Sequence, residues 1–151
     1  MQAAIKTCAA ADLVTGEALA QSLLAISYAK LGRSNERDRA KARANELRSR
    51  VTEQQEVFAV DIALAQLRGE SGQPDAAIAA LRDLVADADK RDWLAWSLET
   101  RLVLVQVLER AGDQSAAAAH SNLAADARKH GFGWVLTRLD KPSRPPALLQ
   151  Q

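Results

Sequence analysis

The chain has 151 residues, the length of one ordinary domain. Alanine (31) and leucine (20) dominate while aromatics number six, a balance that favours closely packed helices and disfavours β-sandwiches and barrels. Lys and Arg total 20 against 19 Asp and Glu, so net charge points to neither general nucleic-acid binding nor membrane attraction.

Met1 to Ala11 holds one lysine and no sustained apolar stretch, which makes a poor signal peptide. No apolar run approaches the ~20 residues of a membrane span, so a cytoplasmic protein is expected. Cys8 stands alone, which excludes an internal disulfide and a cysteine-based zinc site. Residues 3–11 (AAIKTCAAA) fall where the second helix of a preceding repeat would end.

Apolar periodicity predicts helices at 17–31, 35–50, 53–70, 74–88, 93–111 and 114–130. Ser34 or Asn35, and Asp113, are candidate N-caps, and Thr52-x-x-Gln55 reads as a capping box. Pro74 suits the first helical position, with Asp75 favourable in the first turn. In the helix over 93–111, Leu98, Leu102, Val105 and Leu108 share one face and Val103 and Val107 an adjacent one, the pattern of a helix buried between neighbours. Beyond His130, Phe132 and Trp134 are expected to cover an open apolar end, followed by a short amphipathic piece to Leu139. Residues 1–139 thus read as one domain, and 140–151, with three of the four prolines, as a flexible tail.

A repeat organises these elements. Gly32, Gly72 and Gly112 recur at intervals of 40 residues, each after an apolar helical stretch and before a second one. Leu24, Leu64 and Leu104 align, as do Ala25, Ala65 and Val105, and later Ala44, Leu84 and Ala124. A glycine between helices takes φ > 0 cheaply and reverses the chain. Leu81 and Leu104 are expected at core positions of this repeat.

These residues resemble the tetratricopeptide (TPR) repeat family. Its first helix carries a large and then a small residue with an aromatic one turn later. A turn glycine follows, then an alanine and bulky or small apolar residues in the second helix. The first repeat supplies Leu24, Ala25, Tyr28 and Gly32, the second Leu64, Ala65, Gly72, Ala77, Leu81 and Leu84, and the third Leu104, Gly112, Ala117 and Ala124. Arg68 and Leu108 depart from the aromatic, Ser121 from the bulky residue, and the interval exceeds the family's 34 or so. The likeness is to the looser arrays of bacterial multidomain regulators, with Ala127 to Phe132 as a closing segment. It implies an all-α fold: an α-solenoid of about three TPR-like helix–turn–helix repeats behind a partial N-terminal repeat helix. It also implies a concave face lined by first helices. In the second repeat that face would hold Ala59, Ile62, Gln66, Gly69 and Glu70. In the third it would hold Glu99, Leu102, Gln106, Glu109 and Arg110.

No catalytic constellation emerges. His120 and His130 fall on different faces of one helix, no phosphate-binding glycine loop is present, and neither a metal nor a cofactor is expected. The residues favour a non-enzymatic protein–protein interaction scaffold, part of a larger regulatory protein. Its partner-binding residues would be Gln66, Glu70, Glu99, Gln106, Glu109 and Arg110, on a protein or peptide partner. Self-association into a homodimer through an uncovered helix edge is the alternative. Residues 33–50 carry seven bases against three acids and offer a weaker one, nucleic-acid contact. No aromatic stacking platform accompanies them, which disfavours that reading. Trp93 and Trp96 are expected to pack at the seam between repeats two and three.

Overall fold

The computed structural model describes residues 13–141, and every regular element among them is a helix. Seven follow in order: α1 (Val14–Lys30), α2 (Ser34–Arg48), α3 (Gln54–Glu70), α4 (Pro74–Lys90), α5 (Leu94–Ala111), α6 (Ala116–His130) and α7 (Gly133–Leu139). The six long predicted helices are present with ends shifted by three residues or fewer. The segment 3–11, Cys8 and residues 142–151 of the expected tail lie outside the described residues. The chain divides after Gln73 into two compact units.

Five of the six links between helices are one backbone motif. Gly32, Gly72, Asp92, Gly112 and Gly131 have φ of 69°, 79°, 55°, 66° and 77°. The N–H of the following residue reaches back to the carbonyl five positions earlier: Arg33 to Tyr28, Gln73 to Arg68, Trp93 to Ala88, Asp113 to Leu108 and Phe132 to Ala127, at 2.8–3.0 Å. This is the Schellman closure of a helix, which satisfies carbonyls that would otherwise be orphaned. The three glycines at 40-residue spacing therefore share one conformation, as the repeat requires. The sixth link, Ser49 to Glu53, has no left-handed residue; Glu53 is extended and Val51 is buried.

The expected caps do not form. Arg33 is the N-cap residue of α2 and no side chain bonds there, so Ser34 and Asn35 already lie inside the helix. Thr52 falls one residue outside the N-cap of α3, which is Glu53, and the capping box does not form. Asp113 is not the N-cap either: that position of α6 is Ser115, without a side-chain cap bond, and the Asp113 carboxylate instead accepts hydrogen bonds from the Ser115 N–H at 2.7 Å and hydroxyl at 2.6 Å.

In the first unit α1 and α2 form a hairpin and α3 packs mainly on α1. Two small clusters hold it, one of Ala18, Leu47, Val51 and Val60, the other of Ala25, Ile26, Ala40 and Leu67. In the second unit α5 packs on α4 and α6, and α7 lies across α5 and α6. Its core joins Leu98, Leu102, Val105, Leu123, Ala127 and Val135. The expected all-round burial of α5 holds for Leu98, Leu102, Val103, Val105, Val107 and Leu108. Leu81 is fully buried as expected, but Leu104 is only half-buried, because the inward arc of α5 is filled by Leu102, Val105 and Leu108 instead. At the C-terminal side Phe132 packs on the core as expected. Trp134 instead faces outward under the Arg138 guanidinium, and the buried anchor of α7 is Val135.

Candidate functional site

The helix faces that the repeat singles out are built separately in each unit. On α3, Gln66 and Glu70 lie one turn apart, half-buried. The neighbouring α1 brings Lys30 Nζ to within 3.7 Å of Glu70 Oε1. Lys30 and Glu70 are 40 residues apart, so in this unit the repeat interval is also a spatial contact between successive first helices. Ala59 and Gly69 are half-buried on the same helix. Ile62 is not available there: it points into packed protein and is buried.

On α5, Glu99, Gln106 and Arg110 follow one another at spacings of seven and four, which keeps them on one stripe. Glu99 and Gln106 are half-buried, and Glu109 and Arg110 exposed. Leu102, expected beside them, is fully buried in the core of the unit. The Glu109 carboxylate meets His120 Nδ1 of α6 at 3.1 Å. Although Arg110 is exposed as a residue, burial of its guanidinium lowers its pKa from the ordinary arginine value. Each of the two stripes thus has an amide that both donates and accepts beside a charge, Gln66 with Glu70 on α3 and Gln106 with Arg110 on α5.

A second feature, not legible in the sequence, is an open cleft of about 350 Å³ between α1 and α2. Leu24 and Tyr28 give it an apolar side, and Glu36, Arg39 and Arg43 a charged one. The arginine nearest the core is committed: Arg43 is bound to buried Glu17 at 2.8 Å and to Glu46 at 2.8 Å, and those bonds raise its pKa above the ordinary value. Arg33 lies over the Tyr28 ring at 4.9 Å and bonds Glu36, whose carboxyl is held below its usual range by that bond. The cleft depends on which side chains α1 and α2 bring together across their turn, so periodicity alone gives no sign of it.

Part of the basic stretch 33–50 is engaged by carboxylates of its own unit. Arg33, Arg37, Arg43 and Arg48 each pair with a carboxylate, the last in two-pronged fashion to Asp61 at 2.7 and 2.8 Å. Trp93 and Trp96 are half-buried, with Arg91 lying over the Trp93 ring at 5.0 Å.

Among the described residues no group of His, Cys, Asp and Glu is placed to hold a metal ion, and no helix is long and apolar enough to cross a membrane. Comparison with protein-family models, with curated proteins and with solved structures finds no match.

Proposed function

We propose that this chain is a TPR-like helical-repeat scaffold that binds a peptide or partner protein along the polar stripes of its first helices, within a larger cytoplasmic regulator and without enzymatic activity. One observation carries the reading. The left-handed glycines at 32, 72 and 112 recur at 40 residues, and the same interval aligns Gln66 with Gln106 and Lys30 with Glu70 and Arg110. Equivalent polar positions on α3 and α5 suit a partner read in register along successive repeats. The solenoid arrangement of these hairpins belongs to the proposal.

Selection of binders from a random peptide library, followed by calorimetry, tests it. Replacing Gln66, Gln106 and Arg110 together by Ala is expected to weaken a selected peptide about tenfold or more, since each lost hydrogen bond is worth ~1 kcal/mol. The thermal midpoint should barely change. Undiminished affinity in the triple variant, or a library that yields no binder, would overturn the reading.

A further inference from the structure

The cleft between α1 and α2 lies wholly within the first unit, and its floor is Ala40, a buried member of the core beneath. Leu24 and Tyr28, one turn apart on α1, form its apolar wall and pack on the same core. Its charges are not needed to build a hairpin of this repeat. Eighty residues on, where α5 and α6 form the equivalent pair, Ala116, Ala119 and Leu123 stand in the places of Glu36, Arg39 and Arg43. There Leu123 is fully buried, Ala119 packs on the core, and Leu108, in the place of Tyr28, is buried as well. The third repeat fills this position with aliphatic side chains, whereas the first leaves it open and rims it with charge.

We propose that the cleft binds a carboxylate carried on an apolar body, with Leu24 and Tyr28 against the apolar part and the Arg39 guanidinium on the carboxylate. The pairing of the other charges selects the sign. Glu36 is held by Arg33, whose Nε–H donates to it at 3.0 Å, and Arg43 is held by Glu17 and Glu46. Arg39, exposed at the rim, forms no ion pair or hydrogen bond with any described residue. An anion therefore meets an uncommitted guanidinium, whose planar fork takes a carboxylate by two parallel N–H bonds. A cation would first have to displace Arg33 from Glu36. At about 350 Å³ the cleft stands at the small end of ligand sites. It has room for a short free acid, or for one apolar and one acidic side chain of a peptide, which present the same chemistry. The site is separate from the polar stripes of α3 and α5 and does not rest on them.

NMR titration of the full isotope-labelled chain tests this with four probes: hydrocinnamate, its uncharged amide, acetate, and acetyl-leucyl-glutamyl amide, whose carboxylate is a side chain. Hydrocinnamate or the dipeptide is expected to bind saturably in the millimolar range, with the largest backbone shifts at Leu24, Tyr28, Arg39 and Ala40. Which of the two binds more tightly distinguishes a free acid from a peptide. The uncharged amide should bind at least about threefold more weakly than hydrocinnamate, the worth of one exposed charge pair. Acetate, with no apolar body, should not saturate. Arg39→Gln should remove the preference for the acid and leave the thermal midpoint unchanged, since it breaks no bond among the described residues. Four results would each overturn the inference: no saturable shift with either carboxylate, equal binding of acid and amide, a preference that survives Arg39→Gln, or largest shifts outside α1 and α2.

Discussion

A single residue in the left-handed region decides each of five turns. At Gly112 a built-in Cβ meets nothing within 4 Å, so the cost of a side chain there is backbone conformation alone. Gly112→Ala is expected to destabilise by ~1 kcal/mol, and Gly72→Ala by a similar amount, measured by denaturant unfolding. Asp92 performs the same task with a Cβ in place. Asp92→Gly should raise stability by up to about 1 kcal/mol, reversing the usual penalty of glycine, and a lower midpoint would contradict the turn geometry. The glycines were readable because their spacing is regular. Asp92 was not, since aspartate tolerates φ > 0 without advertising it, and Asp is common in this chain for other reasons.

For the helices, legibility follows how strongly local chemistry is overridden by neighbours. The burial of α5 was readable because six aliphatic residues occupy several of its faces. The caps of α2 and α3 were misread for different reasons: the Schellman link before α2 leaves only Arg33 ahead of Ser34, whereas α3 starts one residue later than a cap at Thr52 requires. Leu81 and Leu104 separate the two regimes. Leu81→Ala is expected to cost ~2–5 kcal/mol. Leu104→Ala, at a half-buried position, should cost less than half as much, and equal losses would mean that α5 is rotated. At the start of α6, two bonds from Ser115 hold the Asp113 carboxyl below its usual range. A depressed carboxyl stabilises above its unfolded value and loses that contribution as pH falls below about 4. The thermal midpoint of Asp113→Ala should therefore be lower at neutral pH and fall less steeply on acidification than that of the parent chain.

Across the whole molecule, the two units are held by unlike cores. Five of the eight clustered core residues of the first unit are alanine or valine, and the clusters are small. The second unit gathers Leu98, Leu102, Val105, Leu123 and Val135 into one cluster, with α7 lying over it. Burial of apolar area stabilises by ~25 cal/mol per Å², so residues 74–151 expressed alone should melt cooperatively and above residues 1–73. The reverse order, followed by circular dichroism, would mean that core composition does not set relative stability here. The 40-residue repeat was open to sequence reading because it is written in turn residues. The cleft between α1 and α2 was not, because it depends on which surfaces the fold leaves uncovered.

The aromatic residues turn this division into an optical one. Trp93, Trp96 and Trp134 all lie beyond Pro74, and the chain's single tyrosine, Tyr28, lies before it. Light absorbed by indole consequently reports on the second unit alone, while amide absorption reports on both. A melt followed at the two wavelengths should give curves that separate, with the ellipticity falling first. The lag of the emission behind it would measure how far the halves unfold independently.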